Sequence, residues 1–188
     1  MFNDPILNKL FQQHGPHKFE DRSERLIKEL IEAIINQQLS GKAADTIYKR
    51  FLALFKNNKF PSAKQILETG VEKLRSAGMS YSKVSYIKNI AKAFKNKDIE
   101  IEKIKKMSDE EVVNELTKIK GVGRWTTEMI MIFTLRREDV FSLGDAGLRR
   151  AVKNLYNIEK EADILKLSEK WKPHRSFACW YLWRSLKD

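Results

Sequence analysis

The stretch Thr117-Lys118-Ile119-Lys120-Gly121-Val122-Gly123-Arg124-Trp125-Thr126 sets a glycine-x-glycine turn between two segments of helical periodicity. Glycine tolerates positive φ and admits close backbone approach, so Gly121 and Gly123 permit a tight turn at the positive end of the helix that follows. Such a turn is a ready anion site. On its own the pair would also suit a dinucleotide loop after a strand, or plain helix capping. The flanking sequence removes the dinucleotide loop. Ser108 and Glu111 have capping-box spacing, and Val112, Val113, Leu116 and Ile119 form an apolar face, so a helix leads into the turn. The second helix is expected from Arg124 to about Arg136, with Trp125, Met129, Ile132 and Phe133 on one stripe.

Working outward, helical patterns recur almost everywhere and no strand alternation stands out, which predicts an all-α fold. A short helix is expected around Pro5 to Gln13. Ser23 to Gln37 carries Leu26, Leu30, Ile31, Ile34 and Ile35, a face wide enough for a central helix. Ser40 is placed to cap a third helix that runs past Leu54 to Asn57 and Asn58, and Pro61-Ser62 opens another. Gly78 breaks the pattern. From Ser80 or Ser82 to Phe94 the spacing predicts an amphipathic helix with Val84, Ile87, Ile90 and Ala91 inward and Lys83, Lys88, Lys92 and Lys95 outward.

At 188 residues and 42% hydrophobic content the chain suits one domain, or two small lobes, with a real core. Its 36 basic against 25 acidic residues give a net charge of +11, which favours a polyanionic partner such as nucleic acid. The single cysteine, Cys179, excludes an internal disulfide and a four-cysteine iron–sulfur cluster. His14, His17 and His174 lack a zincin spacing and read as surface or loop residues. No apolar run approaches the ~20 residues that span a bilayer, and Met1 to Leu10 lacks a basic segment followed by an apolar one. The expectation is a soluble intracellular protein with no membrane partner.

Five segments now point to a family. Ile119-Lys120-Gly121-Val122-Gly123-Arg124-Trp125-Thr126 followed by Asp145 in Leu143-Gly144-Asp145-Ala146-Gly147 resembles the signature of the helix-hairpin-helix (HhH-GPD) DNA glycosylases. Ile34-Ile35-Asn36-Gln37-Gln38-Leu39-Ser40, Leu74-Arg75-Ser76-Ala77-Gly78-Met79-Ser80 with Lys83, and Trp171-Lys172-Pro173-His174-Arg175-Ser176-Phe177 agree in order, over roughly residues 25 to 188. Within that superfamily the chain is similar to the alkylbase, or 3-methyladenine II, type. The resemblance implies a single domain over 1–188 with two helical lobes, 30–136 and 1–29 plus 137–188, and a cleft between them.

The resemblance also implies roles. An enzyme acting on a base in duplex DNA must extrude the nucleotide, at a cost of a few kcal/mol, and needs a backbone grip, a wedge and a pocket. The grip is the hairpin, with Gly121, Gly123, Arg124 and Thr126 on the phosphates and the carbonyls of Thr117, Ile119 and Val122 on a structural sodium or potassium ion. Gln38 matches the wedge position, where its amide can also hydrogen-bond the orphaned base. Trp125 and Trp183 match residues that face the base, with Met129 where some relatives carry tyrosine. Alkylated purines are cationic, and tryptophan offers the best aromatic face for a cation. Asp145 is the expected catalytic residue, since breaking an N-glycosidic bond develops positive charge that a carboxylate stabilises. It also begins a helix with Leu148, Val152 and Leu155 inward, so it reads as an N-cap as well. Asp139, among Arg137 and Glu138, looks structural.

Glycosylases that also cut the strand place a lysine where this chain has Trp125, to form a Schiff base. The expectation is therefore a monofunctional enzyme that takes double-stranded DNA containing alkylated bases as its partner. It would act as a monomer, use no catalytic cofactor and no iron–sulfur cluster, and leave an abasic site. Its compartment would be the bacterial cytoplasm, with the nucleoid, or a eukaryotic nucleus. A catalytically silent hairpin module, or a glycosylase for a different lesion, is the alternative; Asp145 and the aromatic pocket argue against the silent module.

Overall fold

The computed structural model describes residues 2–39 and 41–187, and every regular element among them is helical. The helices are α1 (Pro5–His14), α2 (Leu26–Asn36), α3 (Gly41–Ala53), α4 (Ala63–Glu68), α5 (Val71–Arg75), α6 (Tyr81–Lys95), α7 (Ile101–Lys106), α8 (Asp109–Leu116), α9 (Arg124–Phe133), α10 (Ala146–Tyr156), α11 (Glu161–Ser168) and α12 (Arg175–Arg184). The expected cap at Ser40 lies outside the described residues. The chain divides into two compact units, Arg22–Ile130 and Met1–Asp21 with Met131–Asp188, and the division falls inside α9.

In the first of these units α2 and α6 carry the core. Leu26, Leu30, Ile31, Ile34 and Ile35 are all buried, and α2 packs on α3 and α6 while α6 also packs on α4 and α5. Ser80 caps α6 through the Lys83 amide, and Val84, Ile87, Ile90 and Ala91 face inward as the periodicity predicts. The four lysines do not all point to water. Lys83 Nζ donates to the carbonyls of Ile35 and Gln37 at 2.8 Å each, and Lys88 Nζ donates to the carbonyl of Leu67 at 3.0 Å. An ammonium within reach of a helix's unsatisfied C-terminal carbonyls settles there, and periodicity cannot distinguish that from solvation. The third helix also stops earlier than the pattern suggests, at Ala53, with Asn57 and Asn58 at φ +60° and +53° turning the chain.

The other unit is built around α12, which packs against α1 and α10. Trp171, Tyr181, Leu7, Leu148 and Leu182 are among its most enclosed members. One buried carboxylate organises the N-terminal segment within it. Asp4, 5% exposed, caps α1 by accepting from the amides of Ile6 and Leu7 at 2.9 and 3.0 Å. It also accepts from Tyr156 Oη at 2.9 Å and Trp171 Nε1 at 3.0 Å. Burial, then the facing carboxylate, push the Tyr156 phenol well above its ordinary range, so it remains a donor. Asp4→Ala strips an N-cap and leaves two buried donors unanswered, at a cost of about 3 kcal/mol, measurable as a lower urea midpoint with an unchanged slope.

His17 lies in the loop after α1, as its sequence context suggests, but it is only partly exposed. Its ring stacks on Trp180 with centroids 4.0 Å apart and planes 10° from parallel, and Phe19 meets it edge-on. Burial pulls the His17 imidazole below its ordinary value, so the fold favours the neutral ring. Its contribution is fully present above the ordinary histidine value near 6.5 and is lost as pH falls through that value and past the lower folded one. Thermal unfolding followed from about pH 7.5 to about pH 5 is expected to show a fall in midpoint that is shallower in His17→Phe.

Candidate DNA interface and catalytic carboxylate

The hairpin forms where the sequence places it. Ser108 and Glu111 make the reciprocal capping box at the start of α8, and Val112, Val113 and Leu116 are buried beneath it. Gly121 sits at φ +108°, and a Cβ there would lie 2.2 Å from Cγ of Tyr86, so both its backbone angle and its missing side chain are required. Gly123 differs. Its φ is not in the left-handed region and a Cβ would meet nothing within 4 Å. The first glycine makes the turn, whereas the second only keeps the approach to the start of α9 bare. Asn89 Nδ2 fixes the loop by donating to the Lys120 carbonyl at 3.1 Å, and the Ile119 carbonyl accepts from the Val122 amide at 2.9 Å.

Helix α9 ends at Phe133 and not near Arg136. Arg136 adopts φ +54°, and the Arg137 amide reaches back to the Met131 carbonyl at 2.8 Å. No glycine signals that ending, which is why the apolar pattern overruns it. The predicted stripe splits as well. Ile132 is buried, but Trp125 is 44% and Phe133 38% exposed, while Thr126, Thr127, Ile130 and Met131 go inward. Trp125, Met129 and Phe133 recur four residues apart, so they share one face of the helix. Two threonines inside and two large aromatics outside depart from the usual amphipathic order, although Ile130, Met131 and Ile132 still face inward.

Arg124 opens α9 with its guanidinium between Glu110 at 2.8 Å and Glu128 at 3.7 Å. An exposed pair such as Arg124 with Glu110 is worth about 0.2–1 kcal/mol, so a phosphate can displace it. Thr126 is buried and its Oγ1 accepts from Gln37 Nε2 at 3.3 Å, which ties the Gln37-Gln38-Leu39 turn to the start of α9. Gln38 itself is exposed and held at φ +56°, a conformation that costs a residue with a Cβ of order 1–3 kcal/mol and persists only where its surroundings impose it.

In the other unit the two aspartates separate cleanly. Asp139 is gripped in bidentate fashion by Arg175, with Nε donating to Oδ1 at 2.8 Å and Nη2 to Oδ2 at 2.9 Å, which makes it structural. Asp145 caps α10, with Oδ1 accepting from the Leu148 amide at 2.7 Å and from Trp183 Nε1 at 2.8 Å. Two donors on one oxygen fix the carboxylate plane. Gly147 leaves the carboxylate undisturbed, because a Cβ there would stand 3.1 Å from Asp145 Oδ1 and push it by a few tenths of an ångström, while Trp183 Cδ1 at 3.5 Å would be an ordinary contact. The Trp183 ring in turn lies 5.7 Å from Phe133, which is edge-on to Phe19. Sequence reasoning named Asp145 and Trp183 but gave no role to Gly147, Gln37 and Tyr86; Gly147 lies two residues after the carboxylate and Gln37 beside Gln38 in the quoted segments, whereas Tyr86 carries no local signal.

Comparison with known proteins gives the family. The family described as HhH-GPD superfamily base excision DNA repair protein matches residues 31–174. The chain belongs to that superfamily. It is 37% identical over 185 residues to DNA-3-methyladenine glycosylase 1 of Schizosaccharomyces pombe, covering 96% of this chain and 81% of that one. Its fold matches the structure of the S. pombe 3-methyladenine DNA glycosylase Mag1 in complex with abasic DNA at a TM-score of 0.88, with 35% identity over 99% of this chain and 93% of the other. It likewise matches the DNA-3-methyladenine glycosidase of Bacillus halodurans at 0.81, with 29% identity over 97% and 89%.

The unlike glycines give a paired test within this family. Gly121→Ala is expected to cost at least ~2 kcal/mol through strain and the Tyr86 clash. Gly123→Ala should leave the melting temperature within about 2 °C and weaken duplex binding severalfold, read by fluorescence anisotropy at fixed salt.

Proposed function

We propose that this chain is a monofunctional DNA glycosylase that hydrolyses the N-glycosidic bond of alkylated purines of the 3-methyladenine and 7-methylguanine class, flipped from duplex DNA. The observation that carries the reading is Asp145, whose carboxylate is fixed by the Leu148 amide and the Trp183 indole at the positive end of α10. As the bond between C1′ and the base nitrogen breaks, positive charge develops on the sugar, and a carboxylate already oriented needs no reorganisation to stabilise it. Water then supplies the hydroxyl to C1′ and a proton is released. A cationic base is already a good leaving group, so no acid is required to protonate it. The exposed Trp125 face suits such a cation, worth up to ~2 kcal/mol where water is excluded. An indole cannot form the Schiff base of strand-cutting relatives, and the product is an intact strand with an abasic site.

The hairpin amides at the start of α9 serve as the phosphate grip. The carbonyls of Thr117, Ile119 and Val122 would hold a sodium or potassium ion, and this set fits because all three are hard oxygens and the Ile119 carbonyl, with one hydrogen bond from Val122, keeps a second lone pair. Such an ion would offset the repulsion between phosphate and the turn's own oxygens.

Release of free methylated purine from methylated duplex tests this reading. Wild type should release 3-methyladenine or 7-methylguanine with strands intact until alkali. Asp145→Asn keeps an oxygen for Leu148 but loses the charge, and should bind with near-native affinity while turning over ~10²–10³-fold more slowly. Turnover close to wild type in that variant would remove Asp145 from the chemistry, and strand scission before alkali would remove the monofunctional assignment.

A further inference from the structure

Lys83 stands at the start of α6, yet its two hydrogen bonds go to another element. Both accepting carbonyls, Ile35 and Gln37, belong to the C-terminal end of α2, each 2.8 Å from Nζ. The carbonyls that end a helix have no intrahelical donor, and the helix's negative end attracts a cation. Burial pulls the Lys83 ammonium down from the ordinary lysine range, as expected of a charge withdrawn from water. The two carbonyls bracket Asn36, whose own carbonyl accepts from the Leu39 amide at 3.3 Å, and Gln37 Nε2 is tied to Thr126. The residue left projecting from this clamped segment is Gln38, at φ +56° and exposed. A residue with a Cβ holds that angle only where its surroundings impose it.

We infer that Lys83 is a positioning residue that holds the Gln37-Gln38-Leu39 turn in the conformation that presents Gln38 to duplex DNA, and thereby governs extrusion of the base. This rests on the glycosylase reading and on Gln38 as the residue that enters the duplex. Lys83 touches no reacting atom and acts only through the turn. Its removal therefore affects the step that opens the duplex and leaves bond hydrolysis in an already unpaired nucleotide intact. Arginine can still donate to both carbonyls, whereas methionine retains the length and loses the charge and the donors.

The test is single-turnover release of 7-methylguanine from a paired duplex and from the same strand with the lesion in an unpaired bulge, with 2-aminopurine beside the lesion reporting unstacking. Lys83→Met is expected to slow release from the paired duplex ~10–100-fold, to lower the 2-aminopurine signal, and to leave the bulged substrate within about threefold of wild type. Lys83→Arg should recover most of the loss. In a Gln38→Ala background the Lys83→Met change should add nothing further, because both act through one side chain. Equal loss on paired and bulged substrates, full additivity with Gln38→Ala, or an unchanged paired rate would each overturn the proposal. Fluorescence does not require bond cleavage. A wild-type chain that unstacks the reporter but releases no base defeats the glycosylase reading while Lys83 is still measured, and one that leaves the reporter stacked overturns the Lys83 proposal.

Discussion

A helix leaves its first amides and last carbonyls without partners, and the chemistry of this chain is built on the way those ends are answered. Asp4 answers the start of α1, Asp145 the start of α10, and Lys83 the end of α2. The start of α9, behind Gly123, is where the proposed phosphate grip uses the same need from outside the protein. Capping is usually a matter of local stability. Here each cap carries a second duty, since Asp145 also receives an indole, Asp4 also receives a phenol and an indole, and Lys83 also fixes a strained turn.

The all-α class and the superfamily were legible because they rest on short-range information. A capping box and an apolar repeat predict α8, and the glycine pair predicts the turn after it. Asp145 was legible for the same reason, as a carboxylate at a plausible helix start. What escaped depends on contacts between residues distant in sequence. Tyr86 reaches Gly121, Lys83 reaches Ile35 and Gln37, and Trp171 reaches Asp4; no periodicity encodes such pairs. The α9 stripe misled in an instructive way. Amphipathic analysis assigns large apolar residues to the core, and on this helix the threonines are enclosed while Trp125 and Phe133 are exposed.

Charge behaves similarly. The excess of basic residues correctly signalled a superfamily that works on DNA, but individual side chains are committed in ways that composition hides. Arg124 is shared between two carboxylates, Arg175 is spent on Asp139, and Lys88 caps a carbonyl. A net charge thus predicts the class of partner far better than it predicts which residues meet it.

The ring of Tyr86 beneath Gly121 also limits how this hairpin can change over evolutionary time. Two barriers protect the glycine, and they differ in kind: one is a neighbour, Tyr86, whose Cβ would stand 2.5 Å from a Cβ at 121 even after the ring was lost, whereas φ +108° belongs to the turn itself. A lineage that first lost the tyrosine ring would still find every larger residue at position 121 strained, so the order of mutation offers no escape.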